Sequence, residues 1–277
     1  MSSVNDNVVF VSDFLISDCQ GGAEMVDDTI VKHLKLHTMR TKDVINVDPY
    51  KLYLLSNTFQ MAPYVKAIFR IYQNYVIFEH DYKIHASRQP NLFPGNIIPE
   101  AERINYEYYA NARCVFLQSN DHEKCFLDNR VPGNFKTLHT SIWSKEETAL
   151  LKKYNRPTPA IDKVAIMDHY HPAKGKDQAI AYCNQNKLEY ELIPKLPRDQ
   201  FYEKLSQYRA LAYFPIVKES FCRLVVEAKC LGLDLHTTNT YGVTSEPWFH
   251  ELKGKDMISY IEDGTKKALN EIESAIL

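Results

Sequence analysis

The strongest constraint on what this chain can fold into is an alternation of short apolar runs with stretches of helical periodicity, and it is passed through twice. The first run is Val8-Val9-Phe10-Val11-Ser12, with polar residues before it and a loop through Cys19-Gln20-Gly21-Gly22 after it. An uninterrupted apolar run of this length fits a strand covered on both faces. Beyond the glycines, Ala23, Val26, Ile30 and Leu34 fall at helical spacing, and Asp27 and Asp28 stand near the start, where negative charge suits the helix dipole. The pattern returns as Leu52-Tyr53-Leu54-Leu55, a helix near Ala62 to Ile71, Tyr75-Val76-Ile77-Phe78, a helix from Pro99 to Ala112, and Cys114-Val115-Phe116-Leu117. Strands alternating with helices predict a doubly wound parallel sheet.

Asn155-Arg156-Pro157-Thr158-Pro159 forbids continuous helix and reads as a linker, so a first domain is expected over 1–155. The second pass follows over 156–263: Lys163 to Met167 as strand, Lys176 to Gln185 as helix, Tyr190 to Ile193 as strand, Asp199 to Tyr208 as helix and Ala210 to Phe214 as strand. Leu224 to Leu231 reads as an apolar helix, Asp234 to Thr237 as a further strand, and Ala268, Leu269, Ile272 and Ile276 as a C-terminal helix over 264–277. The expected fold is α/β, with two Rossmann-like domains facing each other across a cleft at the carboxyl ends of their strands.

Composition matters here for what it excludes. Apolar residues at 45% and charged residues at 25%, with 9 Gly and 13 Pro, rule out collagen-like and low-complexity classes. The net charge of −2 gives no global field for nucleic acid or membrane, so any polyanion has to be met by a local patch. No run approaches a membrane helix, and the polar start Met1 to Asn7 lacks a signal-peptide pattern, which predicts a cytoplasmic protein. Six cysteines without a Cys-x-x-Cys pair fit a reducing compartment and argue against structural zinc.

The chemistry concentrates in Pro215-Ile216-Val217-Lys218-Glu219-Ser220-Phe221-Cys222-Arg223-Leu224-Val225-Val226-Glu227-Ala228. A helix starting near Phe221 leaves Glu219 ahead of it and Glu227 about two turns inside, with the free N–H groups of its first turn available to a phosphate. Glu-Ser-Phe-x-x-Leu-Val-Val-Glu-Ala resembles the signature of retaining glycosyltransferases of the GT-B fold, family-four type. That resemblance implies that Glu219 contacts the transferred sugar and Glu227 the ribose of the nucleotide, with Ser220, Phe221 and Cys222 lining the donor site. Gln20-Gly21-Gly22-Ala23-Glu24 is similar to the family's glycine loop, where backbone at Gly21 and Gly22 approaches the donor. Phe78-Glu79-His80-Asp81 resembles its His-Asp position near the reacting carbon, and Lys174-Gly175 its diphosphate-neutralising lysine. The family's arginine five positions before the lysine is His169 here, so either the second cation is missing or a histidine replaces it.

The resemblance implies a nucleotide-diphosphate sugar as donor substrate and no cofactor. No Asp-x-Asp is present, nor a Walker loop, which predicts a metal-independent enzyme. Glu-His-Asp-Tyr-Lys, Leu-Gln-Ser-Asn-Asp-His and Ser-Glu-Pro-Trp-Phe look similar to short bacteriophage-encoded members, acting in the host cytoplasm. That likeness implies a hydroxymethylated base in phage DNA, such as 5-hydroxymethylcytosine, as acceptor, held through Lys32, Lys35, Arg40, Lys42, Lys83 and Arg88. The alternatives are a surface glycan or lipid acceptor, and a sugar-nucleotide binding module without catalysis.

Overall fold

The computed structural model describes residues 7–238 and 241–277, so the polar start 1–6, Asn239 and Thr240 lie outside the described residues. The chain forms two compact units, one running to Trp143 and rejoined by Gly264–Leu277, the other Ser144–Asp263.

In the first unit, β1 (Val8–Ser12), β2 (His37–Arg40), β3 (Leu52–Leu55), β4 (Tyr75–Phe78), β5 (Val115–Leu117) and β6 (Phe135–Thr137) form one parallel sheet in the order β2-β1-β3-β4-β5-β6. Successive residues of β1 feed opposite faces, as a pleated strand requires. Val9 and Val11 join Leu55, Phe69 and Ile77 on one side, whereas Val8 and Phe10 join Ile30, Leu54, Val76 and Phe116 on the other. The helices are α1 (Gly22–Leu34), α2 (Pro63–Tyr72), α3 (Tyr106–Ala110) and α4 (Asn120–Asp128). The helix expected over 99–112 is broken: a single 3-10 turn, Glu100–Glu102, is followed by extended backbone at Arg103 and by Asn105 at φ 63°. The Ile104 N–H is spent on the carbonyl of Ile84 at 3.0 Å, which takes that residue out of any helix. The chain leaves β1 toward β2 on one side and β3 toward β4 on the other, so a crevice opens at the carboxyl ends of β1 and β3.

The second unit opens with α5 (Lys145–Tyr154), started by a reciprocal capping box between Ser144 and Glu147. Then come β7 (Ile161–Met167), α6 (Lys176–Gln185), β8 (Tyr190–Ile193), α7 (Arg198–Leu205), β9 (Tyr208–Tyr213), α8 (Arg223–Leu231), β10 (Asp234–Thr237) and α9 (Pro247–Glu251). Its parallel sheet has the order β10-β9-β7-β8, with the switch between β7 and β9. The long α10 (Gly254–Ile276) begins in this unit and ends in the first, where Ala268, Leu269, Ile272 and Ile276 enter the core. The change of unit at Trp143 precedes the proline segment set as the boundary. That segment is fastened to the end of α8, through Arg156 N–H to the Leu231 carbonyl (3.1 Å) and Asn155 Nδ2 to the Cys230 carbonyl (2.6 Å).

Candidate functional site

At the carboxyl end of β7, a loop through His169 leads to a 3-10 turn, Pro172–Lys174, and then to Gly175, which caps α6 at φ 70°. A side chain at Gly175 has no room, because a Cβ would stand 1.7 Å from the Phe214 carbonyl oxygen. The glycine therefore seats the lysine loop directly on the end of β9. There Lys174 Nζ donates to Glu219 Oε1 at 2.8 Å, and the Tyr213 hydroxyl donates to the same oxygen at 2.6 Å. The Cys222 thiol is a further donor to Glu219. Burial alone would raise the Glu219 carboxyl, but Lys174, Tyr213 and Cys222 together hold the pKa below its usual value. Burial, with Cys222 and Glu219 beside it, raises the Tyr213 phenol.

The Glu219 loop is itself clamped by backbone, with Gly242 N–H on the Glu219 carbonyl (2.8 Å) and Val243 N–H on the Phe221 carbonyl (3.1 Å). Ser220, Phe221 and Cys222 are buried. α8 starts at Arg223, just beyond Phe221, because Cys222 is turned to φ 79°, ψ 84°. His169 is held below its ordinary pKa, first by burial and then by Lys174.

Glu227 is buried on α8, between two arginines: Arg198 Nη1 lies 3.1 Å from Oε2 and Arg223 Nη2 3.3 Å from Oε1. Arg223 also pairs with Glu147 of α5. Burial works against the Arg198 charge, yet Glu227 and its neighbours raise its pKa overall. Tyr213, Arg198 and Glu147 were not singled out from the sequence, because the fold and not a local motif brings them to Glu219, Glu227 and Arg223, whereas Arg223 stands within the Glu219–Glu227 segment, four positions before Glu227.

The first unit holds a second cluster at its own switch point. Gly21 precedes α1 and Gly22 opens it; a Cβ on Gly22 would meet nothing within 4 Å, whereas one on Gly21 would press on the Glu24 carboxylate. His80, just past β4, places Nε2 2.7 Å from Asp27 Oδ1, and the Ser56 hydroxyl donates to that same oxygen at 2.7 Å. Asp27 is buried.

The cations expected to grip DNA are mostly engaged within the protein. Lys83 is buried and ion-paired with Glu79, which also accepts from the Tyr109 hydroxyl at 2.7 Å; it is not a surface residue. Arg40 makes two bonds to Asp18 (2.8 and 2.7 Å) and holds that carboxyl down at about 2. Lys32 pairs with Asp28 at 2.7 Å and Arg88 with Asp81 at 3.0 Å. Lys35 and Lys42 are exposed.

No protein-family model and no curated protein matches the chain. Solved structures do. A sucrose-phosphate synthase from Thermosynechococcus elongatus superposes with a TM-score of 0.62 at 10% identity, covering 96% of this chain and 97% of that one. A trehalose-6-phosphate synthase, OtsA, gives 0.60 at 8% identity, with 98% and 99% covered. Anabaena HepE in complex with UDP and glucose gives 0.53 at 11%, with 97% and 91% covered. At such identities the likeness is one of fold, and the fold is GT-B.

Proposed function

We propose that this protein is a retaining, metal-independent glycosyltransferase that moves a sugar from a nucleotide-diphosphate donor to an acceptor hydroxyl. The observation that carries the reading is the Lys174–Glu219–Tyr213 cluster at the carboxyl-end switch point of the second sheet, beside the start of α8. Lys174 is the cation for the departing diphosphate, and Glu219 accepts from hydroxyls of the transferred sugar. Glu227 takes the ribose, with Arg198 and Arg223 paired to its buried carboxylate. Gly22 leaves its backbone open to a donor phosphate, and His80 stands by the reacting carbon. The acceptor attacks from the face that the diphosphate leaves, assisted by the leaving phosphate.

The surface favours a glycan-type hydroxyl over a DNA base as acceptor, since four of the six cations expected to hold phosphates are already held by carboxylates. The deciding experiment scans UDP-, ADP-, GDP- and dTDP-sugars for a rise in Tm, since a ligand that binds only the native state stabilises it. The donor that scores is then followed for transfer and for the configuration of the product. Lys174→Ala and Glu227→Ala are each expected to weaken donor binding by about 2 kcal/mol, the scale of a charge-assisted hydrogen bond. Undiminished nucleotide affinity in both variants rejects the site assignment, and inversion at the anomeric carbon rejects the mechanism.

A further inference from the structure

The amino ends of four neighbouring strands of the first sheet border a cavity of about 330 Å³. Its wall includes Val8 at the start of β1, Lys51 and Leu52 at the start of β3, Asn74 just before β4, Arg113 just before β5, and the exposed Tyr50. The crevice of the same sheet opens at the other ends of these strands, so this cavity lies outside it. Two cations line it, and no aspartate or glutamate side chain does. The Lys51 ammonium has no hydrogen-bond or ion-pair partner among the described residues. The Arg113 side chain spends Nε on the Gln73 carbonyl at 3.3 Å, which leaves both Nη groups for an anion. By contrast, in a cavity beside β10 the cations are already met: Lys253 lies 2.6 Å from Asp234, and Lys229 donates to the Phe249 carbonyl. Asn74 is the buried polar side chain of the wall, only 4% exposed. Its amide is oriented by two bonds from Nδ2, to the Asp48 carbonyl (3.0 Å) and the Lys51 carbonyl (2.7 Å). Oδ1 has no partner among the described residues, and a buried acceptor left unmet favours a ligand that brings a donor.

We propose that this cavity binds the phosphate monoester of a sugar or small polyol, with Arg113 and Lys51 on the phosphate and Asn74 Oδ1 accepting from a hydroxyl of the ester. A dianion satisfies both cations, whereas a carboxylate would neutralise one and leave the other beside it. The planar arginine fork can take two phosphate oxygens at once, and the lysine adds a point charge. The hydroxyl follows from Asn74, whose unmet oxygen needs a donor and would repel a bare phosphate oxygen. This site takes no part in glycosyl transfer and does not depend on that reading.

The test is a calorimetric titration of the full chain, at low salt, with glucose 6-phosphate, inorganic phosphate and glucose. Glucose 6-phosphate is expected to bind, inorganic phosphate to bind about tenfold more weakly, and glucose to give no heat. Lys51→Met and Arg113→Met should each weaken glucose 6-phosphate binding about tenfold, the scale of one charge-assisted hydrogen bond. Lys174→Ala should leave that affinity unchanged, since Lys174 belongs to the other unit. No binding of glucose 6-phosphate overturns the proposal, and so does an affinity unmoved by both Lys51→Met and Arg113→Met, wherever else the ester then sits. Inorganic phosphate binding as tightly as the ester overturns the Asn74 contact and with it the choice of a hydroxylated ester. Should Arg113→Met lower Tm by releasing the Gln73 carbonyl, Lys51→Met decides alone, because that ammonium holds nothing within the described fold.

Discussion

Glu219 is the residue on which opposing physical effects meet. Burial disfavours its charge, and three donors, Lys174, Tyr213 and Cys222, restore it. Removing one donor should therefore cost stability as well as orientation. Tyr213→Phe is expected to lose about 1.5 kcal/mol in urea unfolding and to lower kcat, because a charged buried acceptor is left partly unsatisfied. Cys222 carries a second tension, since φ 79° is costly for any residue with a Cβ. Cys222→Val should fall about 2 kcal/mol below Cys222→Gly in the same measurement, since branching at Cβ aggravates the strain and glycine removes it. Equal stabilities would show that the backbone is not strained there. His169 gives a pH prediction of definite sign. Its folded pKa is depressed by burial and Lys174, so its contribution to stability is complete above the ordinary histidine value and is lost as pH falls through the depressed one. A bound diphosphate pulls that pKa back up, so donor binding should take up a proton and tighten as the solution is acidified. Calorimetry in buffers of different ionisation heat reads the proton directly; no uptake would place the diphosphate away from His169.

Elements decide which residues reach the site, and two glycines separate the structural from the functional demand. At Gly175 a methyl group would overlap the Phe214 carbonyl and the backbone is at φ 70°, so Gly175→Ala should lose about 3 kcal/mol or more as the loop from β7 to α6 lifts off β9. At Gly22 the space is open, and Gly22→Ala should stay within about 0.5 kcal/mol in unfolding while weakening donor binding. A fully retained donor affinity in Gly22→Ala would remove the phosphate role from that loop. What the sequence made legible follows the same physics. β1, β3, β4, β7 and β8 announced themselves as apolar or β-rich runs, and α6 falls on its expected residues. β2 was missed because His-Thr-Met-Arg is an edge strand with its residues largely exposed, and α5 because its stretch is dominated by charge. The helix expected over 99–112 failed because Ile104 spends its N–H on a residue twenty positions away. Lys174 and Glu219 were legible through the residues around them. Asp27 was not, because its partner His80 lies 53 positions on and only the packing of β1, β3 and β4 brings the two together.

At the scale of the whole molecule, charge decides what acceptor the surface can hold. The formal net charge is −2, so a polyanion gains nothing from the average field. It would have to find local cations, and Lys32, Arg40, Lys83 and Arg88 are engaged with Asp28, Asp18, Glu79 and Asp81. Each phosphate neutralised on duplex DNA steepens the log–log salt dependence of binding by about 0.9, so six contacting cations would give a slope near −5. With Lys35 and Lys42 as the exposed members of the set outside those four pairs, the slope expected for duplex DNA is no steeper than about −2, on weak binding. Breaking an internal pair to recruit a third cation returns an unpaired carboxylate beside the DNA, which cancels much of the gain. The measurement is a salt titration of binding to duplexes carrying hydroxymethylated bases, run beside transfer to a neutral oligosaccharide. The oligosaccharide reaction should show no comparable slope, and changing Lys35 and Lys42 together to alanine should flatten the DNA slope while donor binding stays near wild type. A slope close to −5 with transfer to the modified base would mean that the internal pairs open on contact, and would return DNA as the acceptor.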